Sequence, residues 1–489
     1  MSFTEIGQVY ASVDRPSCRL LEDVVDGLAI VAPNDVECRE WIFNYESGYE
    51  SISTELKWVC ADAFQSALGQ SFFYIGSVLG TIFFGFLADH IGRLPALILS
   101  TLTGGMGDFL TSFVSTLPAF VAGRFISGLS TDTLFFLMYI MVFEYLDPKK
   151  RTFGLNIITA LFYCSGLLVS PWLALWIGTW RRYLLLASLP ALAVLIYPLF
   201  LCESAQWLIT KHDLKRAVRC LKHVAHTNKR SVSDEVYQEF VNFYELKLVE
   251  EQKLTNKRDT FWGLFRTPRL RKFTIILLVK SMIITLAFDI ISRNMEGLGS
   301  SPFLLFSVTS VVYVPGGLTI IFLQNLIGRK GMACGSLLVG GIITAITGFM
   351  IALLDRTQNA ILLGIMVGLG RYGAYIAYEA EAQYAAELVP TSVRGRGLSN
   401  VHVVGYAMSF LTTYVIYLGN FYKPLPSIFI SAIMLIGAAL CLALPETLNK
   451  KLPATLSEGE VFAMDEKWYF FPCVGQKKQH NKKDVERSR

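Results

Sequence analysis

Eleven stretches of about twenty mostly apolar residues follow one another along this 489-residue chain. A segment of that length crosses a bilayer as an α-helix, because lipid offers no hydrogen-bonding partner to an unpaired backbone group. The sequence therefore predicts an all-α, polytopic membrane protein with about eleven spans. They lie near residues 63–88, 94–115, 117–143, 152–178, 182–202, 272–292, 302–325, 332–354, 360–388, 398–420 and 424–444.

Charge is scarce and unevenly placed. Charged residues make up 17% of the chain, against about 25% in a typical soluble protein. The net charge of +5 is too small to favour a nucleic-acid partner, so the lipid bilayer is the expected surrounding. The chain contains no Gly-x-Ser-x-Gly, no His-Glu-x-x-His and no phosphate loop, so we do not expect an enzyme.

The nine cysteines have no metal-ligand spacing, so neither a metal nor a cofactor is expected. Cys38 and Cys60, both before the first span, form the candidate disulfide.

Basic residues predict which face is cytoplasmic. The connections holding Arg93, Arg151, Arg329 and Arg394 alternate with connections poor in charge. The face that holds these basic connections is therefore expected to be cytoplasmic. A polar central segment, with a surface helix expected over residues 213–226, separates five spans from six. This division predicts two halves of six helices, with the first helix missing. The predicted segments are an extracellular loop remnant over 1–60, five spans over 61–202, a cytoplasmic central loop over 203–271, six spans over 272–446 and a basic cytoplasmic tail over 447–489.

Short motifs in the connections indicate a family. Residues 85–95 read Gly-Phe-Leu-Ala-Asp-His-Ile-Gly-Arg-Leu-Pro, and a weaker copy, Asn-Leu-Ile-Gly-Arg-Lys, occupies residues 325–330. The first resembles the signature loop of the major facilitator superfamily, and the copy is what an internal repeat predicts. The resemblance implies a helical transporter bundle.

Further motifs resemble one branch of that superfamily. Residues 202–208 resemble Pro-Glu-Ser-Pro-Arg-Trp-Leu, and residues 386–394 resemble Ala-Glu-Leu-Tyr-Pro-Thr-x-x-Arg. The segment from Cys38 to Cys60, with Trp41, Tyr45 and Trp58, resembles the end of a large extracellular loop. Together they resemble the organic cation, anion and carnitine transporters. In that branch a complete first span precedes this segment, and this sequence does not show it.

The resemblance implies a charged network that latches the two halves at the cytoplasmic helix ends. Glu144 is expected near Arg151, and Glu387 near Arg394. The remaining members of this expected network are Asp89, Arg93 and Arg124.

Ionisable residues at bilayer depth need a partner, a wet cavity or a function. Asp132 shares a helix face with Tyr139, and Tyr378 and Glu379 match positions that line the substrate site of cation-preferring relatives. Glu379 is the expected counter-ion of a substrate amine; the competing prediction pairs Glu379 or Glu381 with Arg371 or Arg293. The candidate substrate-binding residues are Asp132, Phe135, Tyr139, Asp289, Arg371, Tyr375, Tyr378, Glu379 and Tyr406.

These residues predict a transporter that carries small organic cations or zwitterions by alternating access, in the plasma membrane. The first alternative is an organic anion carrier that uses Arg371 and Arg293. The second is a non-transporting membrane protein that acts as a sensor or partner. The sequence does not identify a coupled ion; Asp289 and Glu381 are weak candidates for carrying a proton.

Overall fold

The structure is a computed structural model that describes most of the chain from residue 48 onward. The described residues are 21–25, 28–31, 40–41, 43, 45, 48–145, 162–254, 261–295, 298, 300–354, 358–390, 393–450, 452–453, 455–464, 466 and 470–471.

A small segment precedes the bundle and contains two paired strands that the sequence did not predict. Strands β1 (Leu21–Val25) and β2 (Leu28–Val31) pair antiparallel. Helix α1 (Ile52–Glu55) follows, with a capping box made by Ser51 and Thr54.

The first half of the bundle comprises the described helices within residues 64–200. Its long apolar helices bury small residues and leave large ones on the outside, as lipid-facing helices do. The helices are α2 (Phe64–Ile91), α3 (Arg93–Thr111), α4 (Leu117–Tyr145), α5 (Cys164–Ile177), α6 (Trp180–Ser188) and α7 (Tyr197–Phe200).

The connecting segment forms surface helices. The helix Leu214–Thr227, named α9, coincides with the predicted surface helix over residues 213–226, and Asp213 caps it by accepting from the Arg216 backbone N–H at 3.0 Å. The helices are α8 (Ala205–Thr210), α9 (Leu214–Thr227) and α10 (Asp234–Leu254).

The second half comprises the described helices within residues 268–442, followed by a short helix near the C-terminus. These helices are α11 (Pro268–Arg293), α12 (Pro302–Ser310), α13 (Tyr313–Ile327), α14 (Arg329–Leu353), α15 (Ala360–Leu388), α16 (Arg394–Ala407), α17 (Thr412–Tyr417), α18 (Leu425–Leu442) and α19 (Leu456–Val461).

Each of the eleven predicted spans overlaps a described helical segment, and residues 152–161 of the fourth span lie outside the described residues. Nine segments are long and apolar enough to cross a membrane, and the other two are Arg93–Thr111 and the short apolar helix Cys164–Ile177. Three spans are not single α-helices. The span Trp180–Phe200 has a 3₁₀ centre at Leu189–Ile196, where Pro190 removes a backbone donor.

Helices α2 and α4 approach each other closely through glycines. A Cβ atom on Gly76, Gly80 or Gly128 would collide with a backbone oxygen of the facing helix. Small residues at such positions let membrane helices pack by van der Waals contact, since lipid supplies no hydrophobic drive for association.

Two serine side chains join the halves on the side of the bundle opposite the basic connections. On one side Ser71 of α2 shares a hydrogen bond of 3.0 Å with Thr413 of α17. On the other side the Ser307 hydroxyl donates to the Leu168 carbonyl at 3.4 Å. Both contacts lie in the predicted extracellular halves of their spans.

In each half a glutamate from a distant part of the chain caps one helix: Glu203 caps α3 and Glu446 caps α14. Glu203 accepts from the backbone N–H groups of Arg93 and Leu94 at 2.9 and 3.2 Å. Glu446 accepts from Arg329 and Lys330 at 3.0 and 3.2 Å. A carboxylate is favourable there because the first N–H groups of a helix lack partners.

Each cap follows a glycine in a backbone conformation that other residues rarely adopt. Gly92 has φ +115° and ψ 163°, and Gly328 has φ +94° and ψ 165°. A Cβ on Gly92 would also collide with the Glu203 carboxylate. These two motif glycines are therefore required by backbone geometry.

We predict that Gly92→Ala destabilises the protein by about 1–3 kcal/mol, because alanine is strained at this φ and ψ. The measurement is the thermal unfolding midpoint of the purified protein in detergent. Gly85→Ala is the matched control: Gly85 lies inside α2 with nothing within 4 Å of an added Cβ. Equal midpoints for the two variants would contradict the geometric account.

Candidate functional site between the two halves

A charged cluster closes the basic end of the first half. Arg93 contacts Asp89 at 2.6 Å and Glu144 at 3.6 Å. The Trp207 indole also donates to the Asp89 carbonyl at 3.2 Å. The cluster joins the ends of α2 and α4 to the start of α3.

The second half repeats this cluster with different partners. Arg329 contacts Glu387 at 3.2 Å and the Asn325 side chain at 2.7 Å. The Thr447 hydroxyl donates to the other Glu387 oxygen at 2.5 Å. Asn325, Arg329, Glu387 and Glu446 thus occupy the roles that Asp89, Arg93, Glu144 and Glu203 occupy in the first half.

Four of the seven expected latch residues lie in these two clusters: Asp89, Arg93, Glu144 and Glu387. Both clusters find all their described partners within their own half. Arg151 lies outside the described residues, and so does the side chain of Arg394. Whether the clusters latch the halves in another conformation stays a prediction.

The expectation that Arg124 shares the network of Arg93 is wrong. Arg124 is twenty residues from Glu144 along α4, which is about 30 Å of helix. It instead contacts Asp108 at 3.6 Å and lies 4.3 Å from the centre of the Phe73 ring. This pair belongs to the opposite end of the bundle.

Asp132 is buried at the boundary between the halves. Its carboxylate lies 2.9 Å from His402 Nε2, on α16 of the second half, and accepts from the Thr81 hydroxyl at 3.2 Å. The His402 ring also stacks on Tyr406 with centroids 6.1 Å apart. The sequence reasoning missed His402, although a histidine four residues before Tyr406 in a span was a readable signal.

Glu379 is partly exposed and has neither an ion pair nor a hydrogen bond among the described residues. Its carboxylate acts electrostatically on the hydroxyls of Tyr163, Tyr375 and Tyr378. Tyr163 belongs to the first half, so Glu379 faces the boundary.

Aromatic rings surround this carboxylate as a connected set. Phe288 packs on Tyr378 with centroids 5.1 Å apart, and Tyr313 packs on Tyr375 at 4.7 Å. Tyr163 reaches Tyr313 at 6.1 Å. The arrangement places an unpaired negative charge beside several ring faces.

Arg371 lies close to this set but is only 1% exposed. Its guanidinium donates to the Tyr313 hydroxyl at 2.9 Å and to the Thr309 hydroxyl at 2.8 Å. It also lies 4.6 Å from the centre of the Phe306 ring. Arg371 is therefore held by neutral groups.

The competing prediction that Glu379 or Glu381 pairs with an arginine is wrong. Glu381 forms a buried ion pair with Lys280 of α11. Arg293 contacts Asp289 at 3.7 Å within the same helix. The sequence reasoning missed Lys280, although a lysine in the middle of the span at 272–292 was visible.

The remaining predicted residues have less defined surroundings. Phe135 is 49% exposed, and the Tyr139 side chain lies outside the described residues. Cys60 is disulfide-bonded, but Cys38 also lies outside the described residues, so the pairing stays a prediction. No group of side chains suited to a metal ion occurs within the described part of the chain.

A family model described as sugar (and other) transporter matches residues 32–455. The fold is similar to that of the xylose transporter XylE from E. coli in an inward-open conformation. The TM-score is 0.61 at 15% identity, over 85% of this chain and 95% of that one. The chain therefore belongs to the sugar (and other) transporter family and is a multi-pass membrane transporter of the major facilitator superfamily.

The more similar relatives identify the branch. Solute carrier family 22 member 2 of Homo sapiens is 30% identical over 448 residues, which is 90% of this chain and 77% of that protein. An organic cation transporter protein of Drosophila melanogaster is 28% identical over 443 residues, with 90% and 80% covered. The chain belongs to the organic cation, anion and carnitine transporter branch, whose members are transporters and not enzymes.

We predict that Lys280→Met costs about 3–5 kcal/mol of stability, because it leaves the Glu381 carboxylate buried without a partner. The double variant Lys280→Met/Glu381→Leu removes both charges and should recover most of the loss. The measurement is a thermal melt in detergent alongside the amount of protein at the cell surface. A double variant no more stable than Lys280→Met would contradict the ion pair.

Proposed function

We propose that this protein carries small organic cations or zwitterions across the plasma membrane by alternating access. The single observation that carries the proposal is Glu379, an unpaired carboxylate among aromatic rings at the boundary between the halves. The family supplies the transport function, and these residues supply the preference for a positively charged cargo.

The preference for a cation follows from the electrostatics of this site. An ionised side chain at bilayer depth costs about 2.5–3.5 kcal/mol on insertion scales, and Glu379 has no partner among the described residues to offset that cost. A cargo ammonium offsets it. The faces of Tyr and Phe rings attract the same ammonium by about 0.5–2 kcal/mol.

The site offers an anionic cargo fewer available positive charges than it offers a cation negative ones. The Arg371 guanidinium is almost fully covered and already hydrogen-bonded. Arg293 is 41% exposed, but Asp289 lies 3.7 Å from it. A zwitterion suits both groups, with its ammonium at Glu379 and its carboxylate at Arg293.

Alternating access is supported by how the halves are joined. The hydrogen bonds of Ser71 and Ser307 join the halves towards one end, and the contact between Asp132 and His402 joins them in the interior. The charged clusters at the other end stay within their own halves. An inside-negative potential supplies about 2.3 kcal/mol per charge per 100 mV, which concentrates a cation about fifty-fold.

We predict that Glu379→Gln lowers uptake of labelled tetraethylammonium by tenfold or more, since the amide keeps the shape of the side chain and removes its charge. Uptake is measured in cells lacking other organic cation transporters, normalised to surface protein. The control is Glu239→Gln, an exposed glutamate on α10. Unchanged cation uptake, or uptake of a labelled organic anion that depends on Arg293, would favour the anion carrier instead.

We predict that Tyr378→Leu raises the KM for tetraethylammonium by about 2–30-fold, because the 0.5–2 kcal/mol of the ring face is lost. Tyr378→Phe keeps the ring and should keep the KM within twofold. Concentration-dependent uptake measures both values. A Phe variant as impaired as the Leu variant would assign the role to the hydroxyl.

A further inference from the structure

The contact between Asp132 and His402 differs from every other ion pair in the described part of the chain. It joins the first half to the second, with His402 Nε2 at 2.9 and 3.2 Å from the two carboxylate oxygens. The other described ion pairs within the bundle lie inside one half. The halves cannot separate here without breaking this contact.

The pair lies within the boundary rather than at its edge. Asp132 is 6% exposed, and its position is fixed by Thr81 and by the Asp132 backbone N–H, which donates to Ser77. The His402 side chain is 30% exposed, so water in the boundary reaches the ring. A histidine with that access exchanges its proton with water.

The titratable groups that face the pair are tyrosines and acids. The Asp132 carboxylate acts on the hydroxyls of Tyr378 and Tyr406. Asp289 acts on the same two hydroxyls. No described lysine or arginine forms an ion pair with Asp132, so the only described cation beside it is the protonated form of His402.

We propose that Asp132 and His402 form a proton-binding site through which this protein exchanges a proton for its cationic cargo. The inference rests on the proposed function, because it needs a cargo cation at the boundary. It adds a proton as the coupled ion, which neither the family membership nor the unpaired Glu379 identifies.

The exchange balances in charge. With no cargo, the His402 imidazolium donates its Nε2 proton towards the Asp132 carboxylate, and the pair is neutral. When a cargo ammonium approaches Asp132, two positive charges compete for one carboxylate. His402 releases one proton to water in the boundary, and the cargo takes its place. One cation enters and one proton leaves.

The experiment uses the full chain purified and reconstituted into liposomes, with the membrane potential clamped at zero by potassium and valinomycin. The cargo is labelled tetraethylammonium, a permanent cation that cannot itself carry a proton. An acidic interior should drive accumulation of about tenfold per pH unit, because one-for-one exchange equalises the two gradients. A pH-sensitive dye inside should report one proton released per cation taken up.

His402→Gln tests the assignment, since the amide can still donate a hydrogen bond to Asp132 but cannot take up a proton. Proton-driven accumulation at zero potential should fall to a ratio of one. His223→Gln, an exposed histidine on α9, is the control and should keep it. Continued proton-driven accumulation by His402→Gln would overturn the assignment.

Two results of the wild-type measurement distinguish this inference from the proposed function. Uptake that follows an imposed potential but ignores the pH gradient would overturn the proton exchange and leave cation transport standing. A wild-type protein that takes up neither tetraethylammonium nor any other labelled amine, under either gradient, would overturn the proposed function itself. Neither result depends on how well a variant folds.

Discussion

The cost of burying charge is the constraint on which this bundle depends. An isolated ionised group at bilayer depth is unfavourable by several kcal/mol, so a membrane protein neutralises it locally or uses it. Here Arg124 pairs with Asp108, and Lys280 pairs with Glu381, each within one half. Each half is thereby largely neutralised internally and can move as a unit without exposing its own ion pairs.

At the boundary between the halves, two acidic side chains are not neutralised by a permanent cation among the described residues of their own half. Glu379 has no described partner, and the partner of Asp132 is a histidine, a side chain that can bind and release a proton. Both acids come from helices that also carry aromatic residues. In the proposed function, a cation that enters the boundary meets these two acids, and they are the proposed physical basis for cargo selection and for coupling.

The sequence predicted the spans well because lipid imposes a length and an apolar composition on each helix. The structure explains two glycines of the quoted motifs, since Gly92 and Gly328 occupy conformations that other residues disfavour. The site was predicted less completely. Glu379 was identified through the resemblance to a family, whereas His402 was missed because neighbouring residues along the chain do not disclose its partner.

The sequence by itself determined the number of spans, the family and the acids that need an explanation. Only the tertiary structure decided which charged side chains meet. Asp132 and His402 are 270 residues apart, and three helices lie between Lys280 and Glu381 along the chain. The physical reason is that helical periodicity fixes which residues share a face of one helix. It does not fix which other helix that face meets, and this depends on how the whole bundle packs.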